Sequence, residues 1–508
     1  MEDKTLGGKA IGAGGFGCVF YPALKCENTT KRSKNKISKL LNIRHANEEY
    51  EEIKLITPFL KKIPNYSDFF IIDDIELCKP HKITSKDLIG VDEKCNGVIE
   101  SITKSQVSSS NVNKATILNN ELYKYKIINM IYGGITISKY VDKYVISDTT
   151  IPLLNSLSNL LLNGIIPMNK LEIYHGDVKE SNVLVNVKET TLKAKLIDWG
   201  LTVIYSDETS IPNRWTNRPI QFNVPFSNIM FSNTFQQDLN KFVYETPINK
   251  SLVNCEEFMK KYLEKTINRR PGHYSYIQYI FYIMFDSKSE YENIIINYNA
   301  SIIFLYLKDP QKYKNQNHWL IDYLKYPKKF NNMWLIEYLN TIYKHNLDIW
   351  GFVMIYFPFL EMVHPLIYKY SQQLTPYMLS CVKEIRDQFK YIFVTHLYNT
   401  STTQINVNTL LDDLHQINGL FSKLIESGFN PNNIIKSREP KLYTPVTSSL
   451  PNTSSRLNTS SRIRSQKTKK LKSNKSKLSN KSRRLSKMTP GTNRIDKSKK
   501  TKTKSSKK

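Results

Sequence analysis

The stretch IYHGDVKESNVLV, Ile173 to Val185, and the KLIDWG that follows it, Lys195 to Gly200, decide how this chain is read. They gather two carboxylates, an amide and a lysine into short segments with apolar neighbours. Asp177 is placed to accept a proton from an attacking hydroxyl, and Lys179 to lie near a phosphate in transit. Asn182 and Asp198 would hold magnesium against nucleotide phosphates. Such chemistry asks a protein for positioning and charge neutralisation more than for covalent participation, so groups fixed at the ends of loops and strands suffice. Val183 to Val185, and Leu196 with Ile197, read as two short strands, each anchoring one metal ligand. Singly, each residue has an ordinary alternative, because an Asp beside a Gly turns a chain and a lone Asn caps a helix.

Near the amino terminus, IGAGGFGCVF places Gly12, Gly14, Gly17 and Val19 in a G-x-G-x-x-G-x-V string. The stretch Ile11, Gly12, Ala13, Gly14, Gly15, Phe16, Gly17, Cys18 and Val19 is the candidate nucleotide lid, with glycines letting backbone fold over phosphates and Val19 covering the base. The same spacing opens dinucleotide-binding folds, but there a helix follows directly, with an acid about twenty positions on. Here Cys18 to Tyr21 continues as a strand, and the later position falls in KRSKNKISKLL, which has no acid.

With the glycine string, HGDVKESN (175–182) and DWG (198–200) in this order, the chain resembles the eukaryotic-type protein kinases. HGDVKESN corresponds to that family's catalytic loop HRDLKxxN and DWG to its DFG. The DIWG at 348–351 corresponds to the D-x-W-x-x-G that opens the buried helix beneath the catalytic loop. IGAGGFGCVFYPALKC, ISKLL and RPIQFNVPFS (218–227) are similar, more narrowly, to protein kinases of mimivirus-type large DNA viruses.

The resemblance implies an α+β, bilobal protein-kinase-like fold. A small β-rich lobe would cover 1–132, with an insertion near 80–120, and a larger helical lobe would cover 133–435. It implies Mg2+-dependent transfer of the γ-phosphate of ATP to Ser or Thr hydroxyls of protein substrates. It also asks for a phosphate-gripping lysine on the third strand, paired with a helical glutamate. Lys39, in ISKLL, is that lysine, since Lys25 follows Gly17 too closely for a turn and a third strand to intervene. The glutamate belongs to the helix around HANEEYEEIKLI, where Ala46, Tyr50, Ile53 and Leu60 recur at helical spacing. Glu52 is the better candidate, and Glu49, with similar apolar neighbours, keeps the choice open. KYKIINMIYGGITI reads as a strand entering a hinge, with Met130 to Tyr132 against adenine. The leucine-rich run ahead of Tyr174 suits a packed helix.

Departures from the family pattern carry their own implications. Gly176 stands where most protein kinases have the arginine that reads phosphorylation of the activation loop, which implies constitutive activity or control by a partner. HGD is also the form found in aminoglycoside and choline kinases, which makes a small-molecule kinase the rival enzyme. Lys179, the glycine string and DIWG favour a protein substrate. A-P-E is missing, and RPIQFNVPFS stands about where the peptide-docking segment should end. The stretch from about 231 to 346 far exceeds the family's connection to DIWG and reads as an insertion. Its EEFMKKYLEKTI and IIFLYLKDPQKY patterns predict packed helices. A reading from another class, a pseudokinase scaffold whose tail organises nucleic acid, is opposed by the retention of every metal and base residue.

Composition fits this anatomy. The 508 residues exceed one minimal core, and MEDKTLGGK lacks a secretory signal's apolar run. Cys18, Cys26, Cys78, Cys95, Cys255 and Cys381 follow no zinc or redox spacing and read as free thiols. The expected location is therefore intracellular, and the resemblance to viral kinases implies host cytoplasm or nucleus, or the virion. IWGFVMIYFPFLEMV is short and contains Pro358, so a buried helix is expected there and no transmembrane segment. Of the net charge of +28, most lies in residues 441–508, which hold 22 Lys and Arg and the single acid Asp496. This Ser/Lys-rich tail, taken as 436–508, cannot bury enough surface to offset ordering and is expected to be disordered. It would attract nucleic acid or acidic partners through counterion release. A solvated, autophosphorylated tail or a nuclear-import signal has the same composition.

Overall fold

The computed structural model describes residues 8–14, 17–29, 32–95, 114–144, 146–187, 191–206, 209–245, 251–286, 290–308 and 333–434. Contacts divide the chain into Met1–Leu450 and Pro451–Lys508. The basic tail, residues 96–113 of the expected first insertion, and Gly15 with Phe16 lie outside the described residues.

Strand β1 (Lys9–Gly14) pairs antiparallel with β2 (Gly17–Tyr21), and β2 pairs with β3 (Lys36–Asn42). Asn42 then caps helix α1 (Ile43–Leu60), its side chain accepting from the Arg44 N–H at 3.1 Å. Ala46, Ile53, Ile56 and Leu60 line the buried side of α1 at helical spacing. Strands β4 (Glu76–Cys78) and β5 (Tyr125–Ile131) complete a five-stranded sheet of order β1-β2-β3-β5-β4. Because strand side chains alternate, the register Val19↔Lys39↔Ile128 sets these three on one face, and Cys18, Leu40 and Ile127 fall on the other.

On that second face the expectation of free thiols fails. Cys18 is bonded to Cys95 and Cys26 to Cys78, while Cys255 and Cys381 are free and buried. The partners lie 77 and 52 residues apart: Cys18 and Cys78 stand on β2 and β4, while Cys26 forms an isolated bridge with Pro80 and Cys95 sits at the end of the short helix Val91–Lys94. Cysteine usage therefore no longer argues for a reducing compartment.

The other described residues are mainly helical. After β6 (Ile135–Thr136) come α2 (Ile137–Tyr144) and α3 (Thr150–Asn159), which continues through a π-helical turn to Lys170. Short strands β7 (Ile173–Tyr174), β8 (Val183–Val185), β9 (Ala194–Leu196) and β10 (Val203–Ile204) form two small sheets, β6-β8-β9 and β10-β7. Four helices occupy residues 233–308 of the long insertion: α4 (Asn233–Glu245), α5 (Leu252–Arg269), α6 (Tyr274–Phe285) and α7 (Glu290–Lys308), and a further helix, Met333–Tyr338, lies near its end. Their aromatic residues Phe235, Tyr262, Tyr276, Phe281 and Tyr298 are buried. The insertion's two ends meet where the Tyr338 hydroxyl donates to Ser227 Oγ at 2.9 Å.

Helix α8 (Lys344–Met354) is buried along its length and is followed by α9 (Phe357–Tyr368), α10 (Pro376–Phe393) and α11 (Val407–Glu426). Trp350 of α8 packs edge-on against Phe226 and Tyr298 and donates its indole N–H to the Phe222 carbonyl at 2.8 Å. Gly351 lies so close beneath Val178 and Asn223 that a Cβ would strike both carbonyls, so only glycine permits this approach. Among the described residues, two helical stretches are long and apolar enough to cross a membrane, Thr150–Lys170 and Trp334–Tyr368. Half of the first and 83% of the second is buried within the protein, where the apolar surface serves as core.

Candidate active site

The site starts from a carboxylate that is itself out of reach of solvent. Asp348, in the first half of α8, accepts the backbone N–H groups of His175 and Gly176, both at 2.8 Å, and the Asn169 side-chain amide at 2.8 Å. Two consecutive N–H groups pointing at one buried carboxylate fix the path of the loop before Asp177. His175 adds a second tie, with Nε2 3.0 Å from the Ile197 carbonyl and Nδ1 accepting from the Asp177 N–H at 3.3 Å. Burial lowers its pKa, which favours the neutral ring this arrangement needs. The imidazole is thus a strut between the HGD and DWG segments.

Strand pairing brings the two expected metal ligands to one place. Val183 of β8 pairs with Leu196 of β9, and one step further the Ile197 N–H donates to the Asn182 carbonyl at 3.0 Å. Asn182 and Asp198 therefore emerge side by side from neighbouring strand ends. The Asn182 amide nitrogen donates to the Asp177 carbonyl and to its Oδ2, each at 2.9 Å, which leaves Oδ1 for a cation. Asp198 has the left-handed conformation φ 70°, ψ 70°, uncommon for a residue with a Cβ and typical of functional sites. Its side chain is 37% exposed. An amide oxygen and a partly open carboxylate are hard oxygen donors, the set Mg2+ takes when phosphates and water complete its shell.

Asp177 receives three side-chain donors: Lys179 Nζ at 2.8 Å and Asn182 Nδ2 at 2.9 Å on Oδ2, and Asn223 Nδ2 at 2.8 Å on Oδ1. Burial alone would raise its pKa, but Lys179, Arg218 and the Asn223 hydrogen bond outweigh burial and lower it to about 2. Asp177 is therefore held as a carboxylate, able to accept a hydrogen bond from a hydroxyl brought to it but only a weak base. For Lys179, burial opposes the charged form but Asp177 more than compensates, and its pKa is raised.

Lys39 reaches down from β3 to Glu49 of α1, at 2.8 and 2.9 Å from the two carboxylate oxygens, and to Asp198 Oδ1 at 3.3 Å. Burial works against its charge, but Asp198 and Glu49 prevail and raise its pKa. The expectation that Glu52 is its partner is corrected here. Glu52 lies almost one turn further along α1, and its carboxylate is paired with Arg214 instead. The apolar pattern of α1 could not separate two acids three residues apart.

Of the expected lid, Ile11 to Gly14 lie in β1 and Gly17 to Val19 in β2. Val19 shares the face of Lys39, whereas the Cys18 side chain points away into its disulfide, so Cys18 can offer a phosphate only backbone. The Ile11 carbonyl accepts Lys139 Nζ at 3.2 Å. Met130 and Ile131 end β5, with Tyr132 following and stacked on Tyr21 at 4.4 Å between ring centres.

Motif reading missed Asn223, Arg214 and Arg218, which act on the site from the segment after DWG. Asn223 stands inside RPIQFNVPFS, a phrase singled out for its place in the chain and not for contact with Asp177. No protein-family model matches the chain.

Proposed function

We propose that the protein is a serine/threonine protein kinase with the bilobal kinase fold, transferring the γ-phosphate of ATP to hydroxyls of protein substrates. The observation that carries this reading is the convergence of Asp177, Asn182, Asp198 and the Lys39–Glu49 pair, with the catalytic loop hung from the buried Asp348 carboxylate. Lys39 would hold the nucleotide phosphates, and Gly12, Gly14 and Gly17 would cover them with backbone. Asn182 and Asp198 would hold Mg2+, which supplies charge neutralisation on the phosphates when bound. Asp177 orients the acceptor hydroxyl and receives its proton, and Lys179 stabilises the phosphoryl group in passage. The Glu49 carboxylate keeps Lys39 from folding onto Asp198 alone.

The test is labelled ATP with Mg2+ and a generic basic protein as acceptor. Asp177→Asn is expected to lower transfer by a factor of about a thousand or more while nucleotide binding persists. Equal labelling by wild type and variant would remove the enzymatic reading. Aminoglycosides and choline offered under the same conditions separate the substrate classes: phosphate on these alone would move the protein to the small-molecule kinases.

A further inference from the structure

Two arginines in RWTNRP, Arg214 and Arg218, wire the segment after Asp198 into both halves of the site. Arg214 Nη1 donates to the Gly200 carbonyl at 2.6 Å, and its Nη2 pairs with the Glu52 carboxylate on α1. One side chain thus joins DWG to the helix that also presents Glu49 to Lys39. Arg218 is 5% exposed and donates Nη1 to the Gly176 carbonyl at 3.0 Å. Gly176 has φ +67°, and a Cβ there would stand 3.1 Å from the Leu201 carbonyl, 3.5 Å from Arg218 Nη1 and 3.7 Å from Trp215 Nε1. The space a side chain at 176 would claim is therefore filled from the opposite segment.

Other contacts hold this wiring in place. Trp215 is fully buried edge-on against Tyr174 and Tyr343, at 5.7 and 5.9 Å between ring centres. From the insertion, Arg270 Nη1 donates to the Asn217 carbonyl at 3.1 Å and the His273 N–H to the Ile220 carbonyl at 2.9 Å.

A phosphate added to such a segment orders it by giving arginines a strong, charge-assisted partner. Here the arginines lie on the segment itself, and their partners are a genetically encoded carboxylate and two backbone carbonyls. The remaining N–H edge of Arg218 is buried, out of reach of a phosphate arriving from solvent. We propose that RWTNR is a permanent latch: Arg214 and Arg218 hold the segment against α1 and the catalytic loop in the unmodified chain, so the site is assembled without phosphorylation of that segment. This rests on the kinase reading above and specifies its regulation. Arg214 and Glu52 are positioning residues, acting through Glu49 and Gly200.

The experiment uses the full-length protein treated with a broad-specificity phosphatase that is then removed. Labelled-ATP transfer to the basic protein is expected to keep its full initial rate. Arg214→Glu and Glu52→Arg should each lower kcat at least tenfold with the KM for ATP little changed, and the double exchange should restore kcat to within about threefold of wild type, a recovery that shows the two side chains act through each other. Hydrogen exchange, read separately, should rise in α1 and in residues 199–218 of Arg214→Glu and fall back in the double variant. Dephosphorylation that abolishes the rate would overturn the latch, as would unchanged exchange in Arg214→Glu. If the wild type transfers no phosphate to any acceptor while the exchange pattern holds, the kinase reading fails and the latch stands as a structural tie.

Discussion

The loop from His175 to Asn182 and the hairpin of β1 and β2 would serve the two ends of one nucleotide, yet they are held in opposite ways. In the loop, one buried carboxylate takes two consecutive backbone N–H groups and a second takes three side-chain donors. In the hairpin, β2 is fixed by its ladder to β3 and by the Cys18–Cys95 bond. The β1 side has its ladder to β2, the Ala10 N–H on the Ile89 carbonyl, and the ends of Lys94 and Lys139 resting on the carbonyls of Ala10 and Ile11. A carboxylate that must meet a hydroxyl to within a fraction of an ångström needs the first kind of support. A lid that must admit and release a nucleotide needs ties that exchange easily with water.

The contrast is tested most severely at Asp348. Asp348→Ala leaves two buried N–H groups without an acceptor and should cost about 3 kcal/mol or more. Activity should fall more than a hundredfold, read by thermal unfolding and phosphate transfer on the same preparation. A variant of wild-type stability would show that the loop is fixed by something else. Acid titration sharpens the same point. The Asp177 pKa is 3.8 in the unfolded chain and about 2 when folded, so its contribution is complete above about pH 4 and is lost as pH falls through 2. Being buried, it should add about 2 kcal/mol to wild type over Asp177→Asn at neutral pH, a difference that shrinks below pH 4 in unfolding curves. The smallest effect belongs to the lid. Lys139→Ala should change the KM for ATP less than about threefold and stability by under about 0.5 kcal/mol. A larger loss would make the hairpin as rigidly supported as the loop.

Much of this arrangement was legible because its chemistry is compressed into short stretches. Asp177 and Asn182 are five residues apart, and the apolar triplet Val183–Val185 announces the strand that aligns Asn182 with Ile197. DIWG announced a buried helix, and its Asp348 is what the loop hangs from. What escaped depends on distance or on rotation. Glu49 and Glu52 differ by less than a turn of α1, and only the position of β3 decides which one meets Lys39. Arg214 and Asn223 lie 162 and 46 residues from the carboxylates they touch, with no local pattern to mark them. The disulfides join cysteines 77 and 52 residues apart, equally without a local pattern.

The hydrogen bond between Ser227 and Tyr338 has a consequence for how this molecule can vary. Their separation is 111 residues in sequence and one hydrogen bond in space, so the segment that carries α4 to α7 has its two ends side by side. Its inner face is tied down, with Tyr298 against Trp350 and Arg270 and His273 on the 217–220 backbone, so change there would reach the elements that carry Asp348 and Asn223. The face turned to solvent is where the cassette can diversify while the chemistry beside it stays put.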